Sequence, residues 1–193
     1  MSSIQPDRDS AWVSDLFARH ASAVLAYARR RLASQEDAED VVTEVFTTAW
    51  RRRDDMPDDA LPWLYATAAH AVAHTTRTRA RRTRLNTRLA TVSPLHAADD
   101  PGQLVADALD ARAAVAAALD EIGDPDAELL RLWAWEQLEP SEIAVVLNCS
   151  PGAARTRLHR ARGRLRQALV GRGITGTGVD TPTHPATGSE DPR

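Results

Sequence analysis

The chain has 193 residues, 43% of them hydrophobic and 5% aromatic, and a formal net charge of −3. That length allows one or two small domains with cores of their own, without staples. A single cysteine, Cys149, excludes a disulfide framework and a cysteine-rich zinc site. No apolar run approaches a membrane span and the opening MSSIQPDRDS has no signal-peptide core, so a cytoplasmic protein without membrane insertion is expected.

The small net charge hides a segregation of sign. Between Ser34 and Asp59 stand nine acids against three arginines, whereas Ala60 to Ala98 holds no acid. In that second stretch Arg77, Arg79, Arg81, Arg82, Arg84 and Arg88 crowd together. Blocks of opposite sign point to two partners, one basic and one polyanionic. All 24 basic residues are arginine. Codon bias is the main reading, and arginine also suits bidentate contacts to phosphate and guanine.

Few aromatics with abundant Ala and Arg favour an all-α chain: two small helical domains joined by a flexible linker. After a flexible N-terminus (1–10), a first domain is expected over 11–89. Its opening helix carries Phe17, Ala21, Val24, Leu25, Ala28 and Leu32 at helical spacing. Ser34 caps the next helix, with acids in its first turn where the dipole favours them. Ala38, Val41, Val42, Val45, Phe46, Ala49 and Trp50 form its apolar stripe, and Asp37, Asp40 and Glu44 its other face. The polar loop RRRDDMPDDAL leads to a third helix from Pro62 through Trp63, Leu64, Ala68 and Val72 into the arginine cluster. Trp63, Tyr65 and His70 with those arginines combine flat rings and a cationic track, the means by which single-stranded nucleic acid is held. Trp63 reads equally well as core.

Residues 90–103 read as a linker that, extended, spans up to roughly 45–50 Å. With domain radii added, two DNA contacts could lie about twenty base pairs apart. A second domain is expected over 104–170, with a helix on Leu109, Ala113, Ala116 and Leu119, then one from Asp124-Pro125 through Leu129, Leu130, Leu132 and Trp133. A helix-turn-helix follows. Ser141 to Leu147 is its first helix, Asn148-Cys149 the turn, Ser150 the N-cap and Pro151 the first position of the second helix. There Ala154, Leu158, Ala161, Leu165 and Leu169 make one apolar stripe, and Arg155, Thr156, His159 and Arg160 fall opposite, where a recognition helix meets base edges. Six arginines and no acid between Pro151 and Val170 exceed what a solvated face carries. Residues 171–193 are expected to be a disordered tail.

Other motifs lack their context. Gly171, Gly173 and Gly176 spell G-x-G-x-x-G with no strand before or helix after. His70 and His74 have zinc-ligand spacing but no third ligand, so neither metal nor cofactor is expected. No nucleophile–base set has support and the paired acids face outward, so the chain is not expected to be an enzyme.

Four segments together resemble the extracytoplasmic-function sigma factors of bacterial RNA polymerase: HASAVLAYARRRL (20–32), EDAEDVVTEVFTTAWR (36–51), PWLYATAAH (62–70), and LLRLWAWEQLEPSEIAVVLNCSPGAARTRLHRARGRLR (129–166). The resemblance covers about Leu16 to Leu169 except the linker. It implies that Asp37, Asp40, Thr43 and Glu44 dock on the β′ clamp helices of core polymerase. It implies that Trp63, His70, Arg77 and Arg81 hold the unpaired −10 strand of promoter DNA. Arg155, Thr156, His159 and Arg160 would then read the −35 element in the major groove, with Ser150, Arg157 and Arg162 on phosphates. An anti-sigma factor is a further partner the family often has. This chain departs from the family at Thr43 (usually Gln), His70 (often Asn), Asn148 (usually Gly) and Ala154 (usually larger). Its 51–61 loop lacks the common Phe-Arg-Gly, and Ala66, Thr67, Ala69 and His74 replace bulkier or more polar residues. The competing reading is a stand-alone helix-turn-helix regulator, which leaves the acidic helix and the arginine cluster without roles.

Overall fold

The computed structural model describes residues 9–86 and 106–174, and among them every regular element is helical. The linker, residues 1–8, the tail from 175 and the side chains of 82–86 and 106–112 lie outside the described residues. Two units result. The first is built on α1 (Ser10–Arg29), α2 (Gln35–Arg51) and α3 (Ala60–Asn86). The second is built on α4 (Ala106–Ile122), α5 (Asp124–Ala134) and α7 (Pro151–Val170), with the short α6 (Pro140–Val146) between α5 and α7.

Caps set the helix starts of the first unit. The Asp9 carboxylate accepts from the N–H groups of Ala11 (2.9 Å) and Trp12 (3.1 Å), and Ser34 Oγ accepts from Asp37 N–H (3.3 Å). α3 begins at Ala60, two residues before the expected Pro62. The proline then stands in the first turn, where helix N–H groups have no partner in any case. On α2 the stripe Ala38, Val41, Val42, Val45, Phe46 and Ala49 is buried as its spacing predicts. Trp50, expected with it, is 41% exposed under the Arg53 guanidinium at 4.7 Å.

The α1 stripe differs more. Leu16 and Tyr27 are buried beside Val24 and Ala28, while Phe17 is 48% exposed and meets Phe46 edge-on at 4.9 Å. Tyr27 packs against Tyr65 at 5.3 Å, and Tyr65 is 3% exposed. Tyr65 is therefore core, and the expectation that it offers a ring to nucleic acid is corrected. Burying a large apolar side chain contributes roughly 1.5–3 kcal/mol, so the interior outcompetes solvent for each ring it can reach. Met56, inside the polar loop, is also buried and ties that loop down.

In the second unit α4 turns Val115, Ala118, Leu119 and Ile122 inward, and the expected Ala113 and Ala116 are exposed. Leu129, Leu130 and Leu132 of α5 are buried as expected, and Trp133 is half-buried. Gly123, just before α5, has φ +86°, a conformation that favours glycine. At α6 the Glu142 carboxylate accepts from Glu139 N–H at 2.6 Å, half of a capping box. The turn into α7 places Asn148 at φ +48°, the left-handed conformation asparagine tolerates, and Cys149 N–H closes it on Ala144 O at 2.9 Å.

The expected disordered tail starts later than residue 171. Ile174 N–H donates to Leu169 O and Gly173 N–H to Val170 O, both at 3.0 Å, with Gly173 at φ +76°. This is a Schellman stop, and Ile174 returns onto the Ala118–Ala168–Leu169 cluster as the motif's apolar contact. Arg172 fastens it through Glu121 at 2.8 Å.

Gly173→Ala forces an L side chain into that left-handed position and should lower stability by about 1 kcal/mol. Gly163→Ala, inside α7 with open space around the added methyl, should raise it by about 1 kcal/mol. Thermal melting of the two variants checks the pair, and shifts of the same sign would count against this account.

Candidate functional site

Three surfaces stand on these frames. On α7, Ser150 Oγ accepts from Ala153 N–H at 3.2 Å and sets the start of a 20-residue helix. Ala154, Leu158, Ala161 and Leu169 are buried and Leu165 is half-buried, which fixes the rotation of α7 about its axis. Arg155, Thr156, His159 and Arg160 are consequently exposed together, each four residues from a neighbour on the same face. Arg155, Arg157 and Arg160 have no ion-pair partner among the described residues.

The later arginines of α7 are spent differently. Arg162, expected on phosphate, is half-buried with its guanidinium 4.6 Å from the Trp133 ring. Arg164 pairs with the buried Asp126 at 2.6 Å. The free cationic surface is thus concentrated in the N-terminal half of the helix, where the dipole also favours phosphate.

The second surface is the outer side of α2. Glu36, Glu39, Asp40, Thr43 and Glu44 are exposed along it. Glu36 and Glu39 were absent from the expected set, although their spacing from Asp40 and Thr43 on one helix places them there. Asp37 differs from expectation: its carboxylate is 18% exposed and forms an ion pair with Arg79 of α3. It fastens α3 to α2 and is turned away from the outer face.

The third surface is a groove of about 360 Å³ between α2 and α3. Glu44 and Thr48 of α2 and Arg52 just after it line one side, and Trp63, Thr67 and His70 of α3 the other. Two stripes at near-four spacing face each other, so Thr48 and Arg52, missed from sequence, were findable by stepping in fours from Glu44. Trp63 is half-buried, with Thr67 Oγ1 on its carbonyl at 3.0 Å, so the open choice between core and surface resolves to a groove wall. His70, Arg77 and Arg81 are exposed further along α3. Among the described residues no cluster has the three or more acidic, His or Cys groups a metal would need.

Residues 16–82 match Sigma-70 region 2 and residues 112–165 match Sigma-70 region 4. The RNA polymerase sigma factor CarQ of Myxococcus xanthus is 31% identical over 157 residues, 80% of this chain and 87% of that protein. The chain belongs to the extracytoplasmic-function sigma factors. The ECF sigma factor SigL of Mycobacterium tuberculosis is 27% identical over 170 residues, 86% of this chain and 94% of that one. Among solved structures, the sigma factor RpoE of Bartonella quintana, in complex with the anti-sigma factor NepR, superposes with a TM-score of 0.57 at 21% identity. That match covers 81% of this chain and 96% of RpoE. CnrH, in complex with the cytosolic domain of CnrY, gives 0.55 at 25% identity, covering 84% and 90%. As a sigma factor the chain has core RNA polymerase and promoter DNA as its partners. No helix among the described residues is long and apolar enough to cross a membrane.

Ser150 is both a cap and an expected phosphate contact, and two substitutions separate the roles. Ser150→Ala should cost about 1 kcal/mol of stability. Ser150→Asp should keep the cap and the melting temperature but weaken promoter binding by the holoenzyme, because it puts an anion beside phosphate. Wild-type affinity in Ser150→Asp would show that no phosphate approaches that end of α7.

Proposed function

We propose that this sigma factor, bound to core polymerase in the cytoplasm, selects promoters with two separated elements and helps open the downstream one. The protein makes and breaks no bond; it directs the polymerase's catalysis. The observation that carries the reading is the exposed quartet Arg155, Thr156, His159 and Arg160, held outward by a buried stripe and without an acidic partner among the described residues. In the major groove of a −35 element, arginine is a bidentate donor to guanine and Thr and His have polar atoms for neighbouring edges. Ser150 and Arg157 would hold flanking phosphates.

The first unit would capture the −10 strand. Trp63 and His70 supply flat faces, and Arg77 and Arg81 supply charge for the backbone beyond them. Stacking of unpaired bases on such rings offsets the few kcal/mol of unpairing, so opening proceeds by trapping. The exposed outer face of α2, with Asp40 and Thr43 central among its acids, would dock on the β′ clamp helices. Steering by opposite charge raises the rate of that encounter. The linker over 90–103 sets the spacing of the elements. A protein inhibitor is a further proposed partner, since RpoE was solved with the anti-sigma factor NepR.

Run-off transcription with purified core polymerase tests the reading. A promoter-dependent transcript is expected, and Arg155→Ala and Arg160→Ala should each lower promoter binding by about 1–3 kcal/mol with discrimination relaxed at one base pair. Tight, specific duplex binding by the protein alone, with no transcript and no association with core, would favour the stand-alone regulator instead.

A further inference from the structure

We propose that the α2–α3 groove takes one unstacked guanine of the opened strand, with Arg52 and Glu44 reading its two opposite hydrogen-bonding sides over the Trp63 ring. The proposal rests on the strand-capture reading above and specifies the base. At about 360 Å³ the groove lies at the lower end of the range of small-ligand sites. Its aromatic wall is Trp63, and its polar groups come from both helices.

Charge placement selects among the bases. Glu44 and Arg52 are both exposed and both line the groove. Glu44 lies on α2 and Arg52 just past its C-terminal end, eight positions on, which places them roughly 12 Å apart along the axis. Neither has an ion-pair partner among the described residues, so an acceptor and a donor stand free near opposite ends, with the Thr48 hydroxyl between them. Guanine presents N1–H and N2–H₂ as donors on one side, and O6 and N7 as acceptors on the other. An arginine at one end can donate to O6 and N7 while a carboxylate at the other accepts from N1 and N2. Cytosine carries its donor and acceptors together on one edge, which two groups so far apart cannot both serve. Adenine places its only donor group between two acceptors, so the carboxylate's end would face a lone pair. Stacking on Trp63 holds any base, and the two charged groups supply the preference.

The test uses holoenzyme assembled from this chain and core polymerase, with fork-junction DNA randomised across the unpaired downstream strand. Guanine should be enriched at one unpaired position. At that position 7-deazaguanine, which lacks the N7 acceptor, and inosine, which lacks the N2 amine, should each bind roughly tenfold more weakly. Arg52→Gln, a substitution of an exposed side chain, should lose the penalty for 7-deazaguanine and keep the penalty for inosine. Enrichment of another base, or a 7-deazaguanine penalty unchanged in Arg52→Gln, overturns the guanine assignment while leaving strand capture standing. Absence of both enrichment and promoter-directed transcription overturns the assignment together with the strand-capture reading beneath it.

Discussion

The rotation of each helix about its own axis is the constraint from which the rest follows. A helix with one apolar stripe has a single orientation that removes the stripe from water, and the opposite face is then turned outward without any further interaction. On α7 the stripe from Ala154 to Leu169 has small residues at Ala154, Ala161 and Ala168, which let the helix lie close to its neighbours and leave little rotational play. The four side chains assigned to bases sit on the back of that stripe. On α2 the stripe from Ala38 to Ala49 does the same for the acidic face. Local caps reinforce both settings, because Ser34 and Ser150 fix where each helix starts and therefore which residue lands on which side.

Orientation alone does not make a free charge. Many of the arginines in this chain are used within the fold. Arg31 lies over the Tyr27 ring at 3.5 Å, Arg162 lies over Trp133, and Arg79, Arg164 and Arg172 pair with Asp37, Asp126 and Glu121. An arginine with a carboxylate at contact distance has little field left for phosphate, since the pair is nearly neutral a few ångströms away. Long apolar stems also make arginine a good cover for aromatic rings. Among the described residues the cationic surfaces are therefore smaller than a count of basic residues suggests; they include the N-terminal half of α7, Arg77 and Arg81 late in α3, and Arg52.

That division explains what could be read in advance. The caps at Ser34 and Ser150, the α2 stripe from Ala38 to Ala49, the left-handed turn at Asn148 and the outward placement of Arg155, Thr156, His159 and Arg160 follow from local pattern and are found. The errors fall where one residue type serves two environments. Alanine fits either face, so Ala113 and Ala116 were placed inward when Val115, Ala118 and Leu119 are the inward set. Trp63 and Tyr65 stand two apart on one helix and so face different ways; helical spacing separates them but does not say which is inside. The Tyr27 ring waiting in α1 decides it, and that is a long-range fact. Asp37 and Arg162 failed for the same reason, their partners lying on α3 and α5. The stop at Gly173 and Ile174 was hidden because glycine-rich sequence outside a helix pattern resembles disorder until the apolar residue after it finds a core.

The groove between α2 and α3 and the outer face of α2 share a wall. Stepping four residues at a time along a straight helix drifts the line of side chains around the axis, because 3.6 residues make a turn. Glu44 and Thr48 follow such a line, which leaves the acidic outer face at Glu44 and enters the groove that Arg52, just past the helix end, also lines. The acid at the seam belongs geometrically to both the outer face and the groove. A carboxylate there offers two oxygens, and a protein bound along the outer face would exclude water from one side of it. Its hydrogen bonds on the groove side would strengthen as the local dielectric falls. If both proposed faces are occupied, binding on one face of α2 would in this way sharpen recognition on the next with no movement of either helix.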